Sequence, residues 1–314
     1  MNLSENLNNF NNTENALSSN KTVWAIGGGK GGVGKSLVTA NVSICLALLG
    51  HKVVTIDLDL GGANIHTCLG VDIPNKTLSD LLSGKVKDIN SLIVPTKIKN
   101  LSIISGAQDE LSVANLRQAH KSKLISHFQK INADYILFDL GAGTTNNTLD
   151  FFISSHKGVL VVLPEPTSIE NTYRFIKSVY FRRLKMIEGL LGIQPLINKI
   201  MNSKMSEGIT PRDMINKVKT INPEAGHKLQ IEIEKFKPRL IMNQVRSQND
   251  IDIGYSIQNV CKRYFGIDME FTGYLDYDSC VWQSVKRRKP LLMEFPESRL
   301  VHNFDKIVHR LLQV

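Results

Sequence analysis

The run Gly29-Lys30-Gly31-Gly32-Val33-Gly34-Lys35-Ser36 carries the groups that hold and activate phosphates. It satisfies the spacing G-x-x-x-x-G-K-[ST], in which glycines let backbone N–H groups close on phosphate oxygens at the positive end of a following helix. Lys35 would reach the β- and γ-phosphates, and the Ser36 hydroxyl would ligate Mg²⁺. A second lysine, Lys30, follows the first glycine and is not required by that spacing. Two further segments supply carboxylates: Asp57 and Asp59 in the run Asp57-Leu58-Asp59-Leu60-Gly61-Gly62-Ala63-Asn64, and Asp139 before Leu140-Gly141-Ala142-Gly143. Carboxylates at i and i+2 of a strand project to one side, so Asp57 and Asp59 can both face a metal and a water. A strand ending in Asp139 would hold Mg²⁺ through water, and the Gly143 N–H could meet a γ-phosphate.

Short apolar runs position these groups. Thr22–Ile26, Val53–Ile56 and Tyr135–Asp139 read as buried strands, and Leu37–Leu49 reads as a helix ending before Gly50. Further strands are expected at Leu101–Ser105, Gly158–Leu163, Arg239–Asn243 and Met269–Tyr274. Alternation of strands and helices predicts one α/β domain over 21–314, a doubly wound, mostly parallel sheet. Residues 1–20, rich in Asn and Ser, read as a disordered arm.

Residues 186–238 read as a helical insertion, with helix starts at Thr210-Pro211 and Asn222-Pro223. Its second helix would place Ala225, Leu229, Ile233 and Phe236 on one face, suited to packing on the core or to docking a partner. In the C-terminal stretch, Leu300, Val301, Phe304, Ile307, Val308, Leu311 and Leu312 form a stripe that fits either a core helix or a membrane surface.

The 314 residues carry a net charge of +9, which permits attraction to DNA or an anionic membrane without choosing between them. Lys286-Arg287-Arg288-Lys289 and the group Arg182, Arg183 and Lys185 are the densest basic clusters. No stretch has the length of a spanning helix and no signal peptide is evident, so a cytoplasmic protein is expected, with peripheral contact at the inner membrane as an option. Cys45, Cys68, Cys261 and Cys280 are far apart and read as reduced thiols, without the close C-x-x-C pair of cluster-carrying proteins.

The K-G-G-V-G-K-S run at Lys30–Ser36 resembles the deviant Walker A signature of the ParA/MinD family of dimerising ATPases. The D-x-D-x-G-x-x-N run and Pro164-Glu165-Pro166-Thr167-Ser168-Ile169 are similar to the MinD and flagellar-number-regulator branch. The resemblance implies a phosphate-loop ATPase that binds ATP and Mg²⁺, forms a homodimer in the ATP state, and is triggered by an activating partner protein. It implies that Lys30 crosses to the partner's nucleotide, that Asp59 orients the attacking water, and that Lys35 serves catalysis as well as binding. Nucleotide contacts would come from Gly29, Gly31, Gly32, Val33, Gly34, Lys35, Ser36, Leu37, Gly143 and Asn243, the last at the adenine ring. Metal contacts would come from Ser36, Asp57 and Asp139. Glu165 and Ser168 would lie opposite Lys30, although Pro166 and Ser168 also suit a plain helix start. The implied role is to set the position or number of a cellular structure such as a division site or flagellum. The alternative is ParA-like partitioning of chromosome, plasmid or cargo on nonspecifically bound DNA.

Overall fold

A computed structural model describes residues 21–59, 62–106, 116, 118–201 and 210–313. The N-terminal arm and Leu60-Gly61 of the first acidic run lie outside the described residues. In chain order the elements begin β1 (Thr22–Gly27), α1 (Lys35–Leu48), β2 (Val53–Leu58), α2 (Ile65–Cys68), α3 (Leu78–Leu82), β3 (Val94–Pro95) and β4 (Leu101–Ile104). They continue α4 (Gln118–Phe128), β5 (Tyr135–Leu140), α5 (Asn146–Ile153), β6 (Lys157–Val162), α6 (Pro166–Leu191), α7 (Gln194–Met201), α8 (Pro211–Ile221) and α9 (Pro223–Glu234). Last come β7 (Arg239–Val245), α10 (Gln248–Val260), β8 (Glu270–Asp276), α11 (Cys280–Arg287), α12 (Leu291–Glu294) and α13 (Arg299–Leu312).

The strands form one eight-stranded sheet in the order β3-β4-β2-β5-β1-β6-β7-β8. Its pairings are parallel except for β3, which runs antiparallel to β4 at the edge. Strand periodicity divides the core in two. Val23, Ala25, Ile136 and Phe138 join the cluster that includes Phe175 and Val179 of α6, whereas Trp24, Ile26, Leu137 and Val159 join Val38 and Ile44 of α1 and Phe304 of α13. The chain leaves β1 for β2 on one side and reaches β6 on the other, so the carboxyl ends of β1, β2 and β5 open onto the crevice where such sheets bind ligands.

Two open alternatives resolve toward packing. Leu300, Phe304, Ile307, Val308 and Leu311 are buried and Val301 and Leu312 pack against the same cluster, so the C-terminal stripe belongs to the core. Ala225, Leu229 and Ile233 are likewise buried, with Phe236 packed against the core. Thr210 and Asn222 cap α8 and α9, Thr210 through a reciprocal pair with Asp213. The basic clusters are partly spent inside the fold: Arg287 and Lys289 both pair with Glu294 at 2.7 and 2.9 Å, and Arg182 grips Asp150. Among the described residues no helix is long and apolar enough to cross a membrane.

Candidate functional site at the carboxyl ends of the strands

The loop between β1 and α1 is held against its neighbours too closely for side chains at two of its glycines. A Cβ on Gly29 would collide with the Asn171 carbonyl of α6. Gly34, the residue before α1, has φ +92° and lies against the Asn243 amide, a conformation and a contact that both favour glycine. Gly31, Gly32 and Gly143 border open space on the other side, with Gly143 N–H bonded to the Gly28 carbonyl. This cradle of backbone opens where α1 presents its N-terminus, the arrangement that attracts phosphate.

Lys35 and Lys30 take opposite dispositions. Lys35 is only 8 % exposed. Burial holds its ammonium below the ordinary lysine range, opposed by the carboxylates of Asp139 and Asp59. Lys30 instead keeps 39 % of its side chain exposed and reaches the start of α6, 3.0 Å from the Thr167 hydroxyl and 3.4 Å from Glu165. Ser168, expected beside Glu165, points elsewhere. It is buried, and its hydroxyl accepts the Leu163 N–H at 3.0 Å, because successive positions of a helix start face different directions. Thr167 is the hydroxyl that meets Lys30, and its adjacency to Pro166 at the helix start was the available signal.

Asp57 and Asp139 are cross-strand partners on β2 and β5, both buried. Burial and their mutual repulsion push the Asp57 carboxyl well above the usual range. Burial also raises Asp139, resisted by hydrogen bonds from Ser36 and Thr39 and by the nearby Lys35 charge. The Thr39 hydroxyl, which the sequence reading missed, stands 3.0 Å from Asp139; its place one turn after Lys35 on α1 could have revealed it. Two adjacent buried carboxylates, with a serine hydroxyl on one of them, form an oxygen-rich donor set of the kind Mg²⁺ takes.

Asp59 lies one residue beyond the end of β2 and is partly exposed, so the strand geometry expected for the i, i+2 pair stops at Leu58. Its carboxylate still borders the site, about 3.1 Å from where a Cβ on Gly141 would stand. Asp57 meanwhile accepts the N–H groups of Asp59 at 3.0 Å and Ile65 at 3.2 Å, so it also fixes the loop into α2. Asn243 donates to the Val33 carbonyl at 2.8 Å and accepts from Gln244 N–H at 2.9 Å. One donor and one acceptor of the amide remain for a base edge. Nearby, the Arg246 guanidinium stacks 4.0 Å from the ring centre of Tyr277, which is 53 % exposed. Val33 is buried, and Ser36 and Leu37 open α1.

With this geometry in view, comparison with known proteins gives a consistent result. The ParA family model, described as NUBPL iron-transfer P-loop NTPase, matches residues 19–196. Antiactivator FleN of Pseudomonas aeruginosa is 27 % identical over 292 residues, covering 92 % of this chain and 85 % of FleN. Septum site-determining protein MinD of Helicobacter pylori is 34 % identical over 190 residues, 59 % of this chain and 69 % of MinD. Among solved structures, MinD of Pyrococcus horikoshii complexed with Mg-ADP is similar with a TM-score of 0.63 and 25 % identity, covering 93 % of this chain and 96 % of that one. Fold, phosphate loop and these likenesses agree: the chain belongs to the ParA/MinD family of P-loop NTPases.

Proposed function

We propose that this chain is a dimerising ATPase of the MinD and FleN type, which converts ATP to ADP and phosphate and so sets the position or number of a cellular structure. The observation that carries the reading is the split between the two loop lysines. Lys35 is buried beside Asp139 and Asp59 and serves its own chain's site, whereas Lys30 stands at the surface, where among the described residues its side chain bonds to Thr167 and Glu165. An exposed cation beside a phosphate cradle supports the reading that Lys30 acts on a second copy of the chain, as in the deviant Walker A arrangement.

The residues present fit Mg-ATP. The backbone from Gly29 to Leu37 would hold the phosphates with Lys35, Asn243 would meet the adenine, and Ser36, Asp57 and Asp139 would hold the metal; the Gly143 N–H, engaged by the Gly28 carbonyl, would have to leave that bond to join them. When bound, Mg-ATP supplies the phosphoanhydride bond and much of the charge that the site must balance. Asp59 borders the site from the loop after β2 and orients the attacking water. Lys30 of each subunit brings positive charge to its partner's phosphates, a contribution that in related transfers reaches roughly 10³ to 10⁵ in rate. The trans role couples turnover to dimerisation, and an activating partner would govern it. The similarity to FleN, an antiactivator, and to MinD, a septum site-determining protein, supports a positioning role.

The test is turnover against protein concentration. Wild-type rate per subunit should rise with concentration, and Lys30→Ala should bind ATP yet lose that turnover; normal hydrolysis by Lys30→Ala at high concentration would remove the trans mechanism. Sedimentation of ATP-loaded Asp59→Ala with anionic liposomes and with nonspecific DNA then separates the positioning reading from ParA-like partitioning, which binding to DNA alone would favour.

A further inference from the structure

Thr39 stands in the second turn of α1, four residues after Lys35, and is fully buried. β-Branched residues are mildly unfavourable in helix interiors, and a buried hydroxyl costs stability unless it is bonded. Valine has nearly the same shape, so the hydroxyl itself needs a reason. It has one hydrogen and two acceptors within reach, the Lys35 carbonyl at 2.9 Å and Asp139 Oδ1 at 3.0 Å. The Lys35 carbonyl already faces the Thr39 N–H in the helix ladder, and an ionised carboxylate is the stronger acceptor. Mg²⁺ takes the ionised carboxylate, the state in which this hydrogen belongs to Asp139.

Two more buried hydroxyls continue the column. Ser43, one turn further along α1, donates to the Thr39 carbonyl at 2.7 Å and accepts the Thr55 hydroxyl at 2.8 Å. Thr55 lies two residues before Asp57 on the same face of β2, so these bonds tie α1 to the strand that carries the other buried carboxylate. Of the three hydroxyls, Thr39 is the one bonded to a carboxylate. On Asp139 it is joined by Ser36, and the two differ in exposure. Ser36 is half-buried in the first turn of α1, and its oxygen can lend a lone pair to a metal while its hydrogen stays on Asp139. Thr39 is closed off from solvent and holds the carboxylate from inside.

We infer that Thr39 is a positioning residue for the metal: its hydroxyl fixes the Asp139 carboxylate, and through it the Ser36 hydroxyl, in place for Mg²⁺, a role that rests on the Mg-ATP reading above. Thr39 touches neither nucleotide nor metal and acts only through Asp139. Side chains that orient a metal's own ligands commonly carry roughly 10- to 100-fold of the metal affinity. Loss of this hydroxyl is therefore felt in metal binding rather than in the hold on the nucleotide.

Calorimetric titration of Mg²⁺ into the ADP-loaded full chain tests this role, with ADP affinity in EDTA measured alongside. Thr39→Val should raise the Mg²⁺ concentration for half-saturation about tenfold and keep metal-free ADP affinity within about twofold. Thr39→Ser, which keeps the hydroxyl, should hold the wild-type Mg²⁺ value. Ser43→Ala removes a hydroxyl of the same column that does not touch Asp139; it should lower the melting temperature and leave the Mg²⁺ value unchanged. Should Thr39→Val fail to fold, Thr39→Ala carries the same expectation. An unchanged Mg²⁺ value in the folded variant without the hydroxyl, or an equal loss in Thr39→Ser or Ser43→Ala, would overturn the role of Thr39 alone. Wild-type ADP binding that ignores Mg²⁺ would overturn the metal reading and the role of Thr39 together.

Discussion

The carboxyl ends of β1, β2 and β5 and the helical segment from α7 to α9 obey local rules to different degrees. In the helical segment the caps and the buried face follow residue type: Thr210 and Asn222 cap helices, prolines occupy the first turns of α8 and α9, and Leu229 and Ile233 are buried. At the strand ends the chain does the reverse. It buries two carboxylates side by side, buries a lysine, and puts a glycine at φ +92° immediately before a helix. Such features cost stability, and they gather where the phosphate cradle is. The contrast separates residues that serve folding from residues that serve chemistry.

Three substitutions sharpen or break the contrast. The largest effect is expected for Lys35→Ala, which should weaken Mg-ADP binding roughly a hundredfold, as loss of charge-assisted bonds does. Calorimetric titration measures it, and unchanged affinity would place the cradle's chemistry elsewhere. Leu229→Ala should do the opposite. It empties a fully buried site and should cost about 3 kcal/mol in urea unfolding, with ADP affinity kept within twofold. Thr210→Ala is expected to remove about 1 kcal/mol, the ordinary value of an N-cap, again without touching nucleotide affinity. A nucleotide-affinity loss in either helical variant would mean that the two regions are not energetically separate.

Much of this was legible in the sequence because both regions advertise themselves through residue type. The apolar runs at Val53–Ile56 and Tyr135–Asp139 became β2 and β5, since strands covered on both faces need little but apolar residues. Ser36 of the loop motif hydrogen-bonds Asp139, because both flank the same crevice. What escaped was set by long-range approach or by fine register. The two-residue β3 contains a proline and has no periodicity to detect. Which of Thr167 and Ser168 meets Lys30 depends on the direction of a single helical step. The bond from Asn243 to Val33 and the contact of Gly29 with α6 join residues far apart in the chain, and only the folded sheet shows them.

The most direct test of the proposed ATP-dependent dimer, on which a trans role for Lys30 depends, is the mass in solution of the Asp59→Ala protein with Mg-ATP, followed by light scattering over a range of concentrations. The account predicts a dimer with ATP and a monomer with ADP, and loss of the ATP dimer when Lys35→Ala is added. Monomers in both nucleotide states at every concentration would contradict it.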